Sequence, residues 1–439
     1  MSDNTVTHRQ VWRIAGPMII ANISTPLLGM VDTAMVGHLS AAHYLGAVAI
    51  GSMIFTFVFW GFGFLRMATT GLTSQAYGEN STAKMQAVLM QSIWLALIIA
   101  LLLLLIQLPI RNLALHLVSS SQEVEYFAAV YFDIRIWSAP ATLINYAILG
   151  WLIGREASKA ALLMVLVINI TNILLDVLFV MGLGMDVDGV ALASVIAEYS
   201  GLLMGLLLLK YYGLNKTGIR LSLSKKVLKQ SRHGLHVHGN VMIRTFLLIS
   251  CFALFTTQGA RQGDTVLAAN SVLLNFITFM AFVLDGFANA TEALTGKAIG
   301  RKSPTMLKRA LNLTAFWSIL MAMLFSLTYL LFGSSIIRLL TGIDAVIEFA
   351  GMHLIWVIIA PMIAVWSYLL DGLFVGATRS REMRNTMLFA AFGCYLPAFY
   401  LLQPFGNHGL WAALIIFLAA RGISQSFYIG KIMRLADPN

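Results

Sequence analysis

The chain is 439 residues long, 59% hydrophobic and only 11% charged, with a mean hydropathy of +0.81. Soluble domains carry about a quarter charged residues, so this composition excludes an ordinary soluble enzyme or binding module and indicates a polytopic membrane protein. A net charge of +10 would suit nucleic acid in a soluble chain; here it is a question of which loops hold the charge, and no nucleic-acid partner is expected.

The polar start MSDNTVTHRQ leads into an apolar run from Gly16 to His38. No small-residue cleavage site follows it, which predicts a retained helix. At ~1.5 Å per residue a helix crosses ~30 Å of hydrocarbon in about 20 residues, so Asp32 lies inside the span, about a turn from its far end. An ionised carboxylate there costs at least ~2.5 kcal/mol, and such a group is normally paired, protonated or turned to a wet cavity. Asp32 therefore reads as a proton-binding switch, with a buried packing carboxylate as the alternative. Pro17 and Pro26 each remove a backbone donor from the same helix and invite it to bend.

Further spans are expected near residues 44–66, 85–108, 127–150, 160–182, 188–210, 236–258, 266–290, 310–332, 351–376, 385–402 and 408–430, twelve helices in all. Of the 29 Lys and Arg, only Arg111, Arg261 and Arg338 fall opposite the termini, and Arg135, Arg244 and Arg421 are embedded. The positive-inside rule then puts both termini in the cytoplasm. The basic stretch halfway along divides the chain into an N-terminal lobe (1–212), a cytoplasmic linker (213–236) and a C-terminal lobe (237–439).

The halves resemble each other at an offset of 222 residues. GLTSQAYGENS (71–81) matches ALTGKAIGRKS (293–303), and GWLIGREASK (150–159) matches GLFVGATRSR (372–381). Six helices per copy is an even number, so the repeats run parallel about an axis along the membrane normal, with the natural site between two lobes. The predicted fold is an all-α integral membrane protein of two six-helix repeats.

Three residues of the fifth span, Asn169, Asn172 and Asp176, are spaced three and four apart and share one face. A polar face on an apolar helix must look inward or into water. Asp176 is expected at the depth of Asp32, where two carboxylates in one dry pocket would hold a proton between them, and Ser194 of the sixth span could donate to the cluster. Interhelical hydrogen bonding alone is the other reading for the two asparagines. In the second half Asp285, Glu292 and Asp371 are embedded. Asp285 and Asp371 could bind a cation or cationic substrate, or neutralise Arg244 and Arg421. Asp133 and Arg135 are expected at the surface. His233, His236 and His238 look like a solvated interfacial cluster rather than a metal tract, and no metal or organic cofactor is expected.

The stretch VDTAMVGHL of the first helix, LRMATTGLTSQAYG after the second, and the Asn172 and Asp176 pair resemble the multidrug and toxic compound extrusion (MATE) transporters, and within them the DNA-damage-inducible (DinF-type) branch. The resemblance covers essentially the whole chain. It implies a V-shaped two-lobe fold that exports small organic, often cationic or amphipathic, compounds in exchange for H⁺ or Na⁺. It also implies an ion-coupling cluster of Asp32, Asn172, Asp176 and Ser194, where a threonine is more usual in the last position, and bending of the first helix at Pro17. Other branches place an acid in the seventh helix for Na⁺; VHGNVMIRTFLLISCFALFTTQ here has none. Na⁺ at Asp32 and Asp176 stays open, since carboxylate, amide and hydroxyl oxygens suit a hard cation.

The expected activity is H⁺-coupled antiport by a monomer. A Na⁺-coupled exporter and a lipid-linked oligosaccharide flippase of the related fold are the alternatives, the latter disfavoured because the embedded charges read as mostly acidic. The chain lacks H-E-x-x-H and G-x-S-x-G motifs and a loop large enough for a catalytic domain, so an enzyme is not expected.

Overall fold

The computed structural model describes residues 5–36, 42–118, 121–212 and 225–437, with the side chains of 27–36, 42–43, 117–118 and 225–231 outside that description. Every regular element among the described residues is helical. In chain order they are α1 (His8–Val36), α2 (Ala42–Gly61), α3 (Phe64–Gly78), α4 (Thr82–Leu105), α5 (Gln107–Val118), α6 (Gln122–Arg135), α7 (Ala139–Gly154), α8 (Ser158–Asp176) and α9 (Val187–Tyr211). The second half holds α10 (Lys225–Arg261), α11 (Asp264–Gly300), α12 (Pro304–Leu340), α13 (Asp344–Gly376), α14 (Ser380–Leu388), α15 (Leu396–Leu401), α16 (Gly406–Ser426) and the short α17 (Ile429–Met433).

Ten helical runs among the described residues are long and apolar enough to cross a bilayer. Helix α1, 29 residues long, and the run from α14 to α15 stand where the other two expected spans fall. Several helices outlast their oily middles. The expected span 266–290 is the core of α11, 310–332 that of α12, and 351–376 continues back to Asp344. The second span does not end near residue 66; after a short turn it continues through α3 to Gly78. Hydropathy misses α3 because its inner face is hydroxylated: Thr69, Thr70, Thr73 and Ser74 are all fully buried. Thr69 returns its hydroxyl to the Leu65 carbonyl at 2.6 Å and reaches Ser92 Oγ at 2.8 Å, and Thr70 returns its own to the Arg66 carbonyl at 2.9 Å, so these two hydroxyls need no water.

The 222-residue repeat is written into the backbone. The only non-glycine residues with left-handed φ among those described are Asn80 (54°), Lys302 (52°), Glu156 (62°) and Thr378 (51°), two pairs at that offset. Each follows a helix end and reverses the chain, at a conformational cost that recurs at matching positions. The next helices start alike as well. Ser81 Oγ accepts from Lys84 N at 3.3 Å and Ser303 Oγ from Met306 N at 3.4 Å, two N-caps each worth about 1 kcal/mol.

The chain gathers into two compact units. One contains Ile20–Thr73 and Ser81–Gly234, the other Met1–Ile19, Ser74–Asn80 and Leu235–Asn439. The divisions fall inside α1, α3 and α10 and in the turn between α3 and α4. In the first unit Gly150 of α7 lies on the Arg66 carbonyl and Thr69 of α3, a close approach that only a residue without Cβ permits. In the second unit Gly372 of α13 lies in the same way on the Ala288 carbonyl and Thr291 of α11. The core of that unit is aromatic, with Phe255 edge-on to Trp411 at 4.9 Å. Two of its buried amides close on each other: Asn270 and Asn407 exchange hydrogen bonds of 2.7 and 3.0 Å, and Trp411 Nε1 donates to Asn270 Oδ1 at 2.8 Å. The start of α1 packs on α12, where Arg309 Nε donates to the Val6 carbonyl at 2.7 Å and Trp317 Nε1 to His8 Nδ1 at 3.1 Å.

Candidate coupling site

Helix α8 turns Asn169, Asn172 and Asp176 to one inner face, and Asp176 is completely buried. Asn169 Nδ2 donates to Ser24 Oγ of α1 at 2.8 Å, and Asn172 Nδ2 donates to Ser194 Oγ of α9 at 3.3 Å. The structure thus brings Asn172 and Ser194 together and ties the same face to α1. Immediately after Asp176 the helix widens into a π turn, Val177–Gly182. Such turns are frequent at functional sites. Asp32 lies on α1 one turn before Val36; its side chain lies outside the described residues, so its place in this cluster remains an expectation.

Pro17 and Pro26 are half-buried and α1 runs through both. Just before Pro26 the hydroxyl of Ser24 folds back on the Ala21 carbonyl at 2.8 Å and that of Thr25 at 3.4 Å, back-bonding that bends helices. The division between the two compact units falls between the two prolines.

In the C-terminal unit Asp371 is surrounded. Its Oδ2 accepts from Arg421 Nη2 at 2.7 Å and from Arg244 Nη2, and its Oδ1 accepts from Gln425 Nε2 at 2.6 Å. All three side chains are buried with it. Of the uses open to Asp371 from the sequence, this geometry is that of a counter-ion, because both oxygens are committed to donors. Asp285 is half-buried, and with Asp371, Arg244 and Arg421 it acts electrostatically on Tyr368. Glu292 is buried in α11.

Arg135 is not at the surface as expected. Its side chain is 15% exposed and lies 4.0 Å from Glu198 of α9, with its guanidinium 6.0 Å from the ring centres of both Phe55 and Phe59. Asp133, its neighbour but one, does face outward and pairs with Arg111. Glu198 itself was missed by the sequence reading, although it is the lone charge in the middle of the sixth span, the same signal that singled out Asp32. Arg66 was counted with the loops and lies within a span. Embedded charge in the N-terminal unit is therefore more balanced than acidic. His238 is buried rather than solvated. Among the described residues no group of three His, Cys, Asp or Glu is placed to hold a metal.

The MatE family profile matches residues 17–178 and 241–401, one match in each half of the chain. The chain belongs to the MatE family. It is 45% identical over 425 residues to the DNA damage-inducible protein F of Escherichia coli, covering 96% of this chain and 91% of that protein. It is 24% identical to the multidrug resistance protein NorM of Aliivibrio fischeri over 92% of this chain and 90% of that one. Among solved structures, an outward-facing multidrug resistance MATE transporter superposes with a TM-score of 0.86 at 18% identity, covering 98% of this chain and 96% of that one. The Vibrio cholerae MATE transporter VcmN, as a point mutant, does so with 0.85 at 20% identity over 97% of each. These likenesses bear on the fold. This MATE-family chain is accordingly a multi-pass membrane transporter, not an enzyme.

Proposed function

We propose that this MATE transporter exports small organic compounds, often cationic or amphipathic, in exchange for protons bound at Asp32, Asn172, Asp176 and Ser194. The observation that carries the reading is the full burial of Asp176 on a polar face whose neighbour Asn172 reaches Ser194. A carboxyl without water holds its proton more readily than in solution and releases it when a charge or a wet surface arrives. Substrate and proton then compete, and linkage requires that each weaken the other by the same factor. Proton entry would bend α1 around Pro17 or Pro26 and shrink the pocket that held the cargo. One proton moving down ~150 mV and ~0.5 pH unit supplies about 4 kcal/mol, enough for roughly a thousandfold gradient of a neutral compound.

The Lys and Arg distribution supports cytoplasmic termini, and the likeness to the Escherichia coli relative supports a bacterial inner membrane. Sodium is the second reading, favoured by an oxygen set of carboxylate, amide and hydroxyl. Efflux of ethidium from proteoliposomes under an imposed proton gradient, then an imposed Na⁺ gradient, tests both. The proposal expects the proton gradient to drive efflux and Asp32→Asn or Asp176→Asn to abolish it. Efflux driven by Na⁺ alone moves the assignment to sodium, and variants as active as the parent under both gradients remove the cluster from the mechanism.

A further inference from the structure

Glu198 sits 11 residues from the start of α9 and 13 from its end. At ~1.5 Å per residue it is near the middle of the span, and as the fourth residue after Ser194 it lies on the same face about 6 Å along the axis. Its surroundings differ from those of the other deep acid with an arginine partner. Asp371 has hydrogen bonds on both oxygens and two guanidinium groups in contact. The contacts of Glu198 are looser: Asn145 Nδ2 at 3.0 Å on Oε2, shared with the Glu198 carbonyl at 3.0 Å, and Arg135 Nη2 at 4.0 Å from Oε1. At 4.0 Å an ion pair retains Coulomb attraction but has no hydrogen bond.

Two polar atoms beside it, Arg135 Nη1 and Asn145 Oδ1, are buried without a hydrogen-bond partner, and Asn145 is only 2% exposed. A neighbourhood built to hold a permanent carboxylate would use its donors, because each unmet buried group costs about 1–3 kcal/mol. At Glu198 neither oxygen is hydrogen-bonded to a cation, so no charged hydrogen bond has to break when the carboxylate takes a proton. Ionised, Glu198 accepts from Asn145 Nδ2 and faces Arg135. Protonated on Oε1, it keeps the Asn145 Nδ2 hydrogen bond on Oε2 and gives up only the Arg135 contact, which at 4.0 Å holds no hydrogen bond. The other charged or titratable groups in this field are Arg66 of α3 and Tyr146 of α7.

We propose that Glu198 is a second proton-binding carboxylate of the transport cycle, taking up its own proton one helical turn from the Ser194 cluster. The inference rests on proton coupling at Asp32 and Asp176 and extends it. The proton comes from water, forms the O–H bond on a Glu198 carboxylate oxygen, and returns to water on the other side. The functional consequence concerns voltage. A monovalent cation exchanged for one proton moves no net charge, whereas exchange for two carries one charge inward and makes export voltage-driven.

Proton binding can be read without a substrate. Purified full-length protein would be titrated from about pH 5 to about pH 8, with proton uptake measured directly and the infrared carbonyl band of protonated carboxyls followed alongside. Glu198→Gln leaves Arg135 without a counter-charge, so the R135M/E198Q pair is titrated with it, both on the monodisperse fraction. The expected result is loss of about one proton per protein and of one carboxyl band in both variants, with that band kept in D32N/D176N. An unchanged titration in R135M/E198Q overturns the proposal and leaves the Asp32 and Asp176 reading standing. An unchanged titration in D32N/D176N overturns that reading instead.

Discussion

Gly78 lies on the carbonyl of Lys297 while Gly300 lies on the carbonyl of Gln75, and both steps, 78 to 300 and 75 to 297, are 222 residues. The end of α3 and the end of α11 therefore cross in a contact that maps onto itself when the repeats are exchanged, an isologous interface inside one chain. A duplicated unit has such a place wherever its copies meet on their symmetry axis. Small residues are required there, since Gly296 also lies on Ser74 with no room for a Cβ.

Gly78→Ala and Gly300→Ala should each force this crossing apart, because the added carbon falls inside a backbone carbonyl that cannot swing away. Overpacking of this kind costs about 1–3 kcal/mol. The thermal midpoint of the detergent-purified protein should fall in each. The two should not add, as one displacement relieves both clashes. Additive losses would mean that the crossing does not act as one contact.

Asp371→Asn should destabilise the C-terminal unit by about 3–5 kcal/mol, the usual cost of leaving buried guanidinium groups without their counter-charge. The triple change R244M/D371L/R421M removes every charge and should recover most of the loss. Thermal unfolding of the two variants measures the difference. If Asp371 were a cation site instead, the single variant would unfold like the parent and lose ion dependence.

The repeat, the family and the inner face of α8 were legible because each depends on spacing along one helix or between two copies. Ten of the twelve expected spans were countable for the same reason, although their lengths were not. Polar end turns such as Thr69 to Ser74 are buried by partners far away in sequence, and a hydropathy window cannot see those partners. The fate of each buried charge was likewise hidden. Asp371 and Glu198 are both lone acids in apolar helices, yet one is held by Arg421 at 2.7 Å and the other faces Arg135 at 4.0 Å. That difference is set by where α6, α10 and α16 cross their neighbours.

Glu382 gives a pH dependence outside the spans. Burial pushes its carboxyl up, but the Lys431 hydrogen bond at 3.0 Å, its own backbone amide and the charges of Arg379 and Lys431 outweigh this and leave it below the ordinary carboxylate value. A depressed carboxyl adds stability above its unfolded value, near ~4.3, and loses it as pH falls through the folded value. Hydrogen exchange of α17, each rate divided by the intrinsic amide rate at that pH, should therefore stay slow at neutral pH and quicken on acidification. Lys431→Met should quicken it at neutral pH by a few-fold at most, as an exposed pair is worth roughly 0.2–1 kcal/mol. A protection factor that does not change with pH in the parent would show that the Glu382 contact does not hold α17.

Ser194 offers the mildest test of the α8 to α9 contact. Ser194→Ala removes the oxygen that accepts from Asn172 at 3.3 Å, and the lost partner should cost about 1–3 kcal/mol because Asn172 is buried. Ser194→Thr keeps that oxygen and adds one methyl, and Ser194 is not fully enclosed, with 6% of its surface exposed. The threonine variant should thus retain the parent's stability and its pH profile of proton-driven efflux, while the alanine variant shifts the midpoint of that profile. A shift with threonine equal to that with alanine would trace the effect to packing rather than to the hydroxyl, and would take Ser194 out of the coupling cluster.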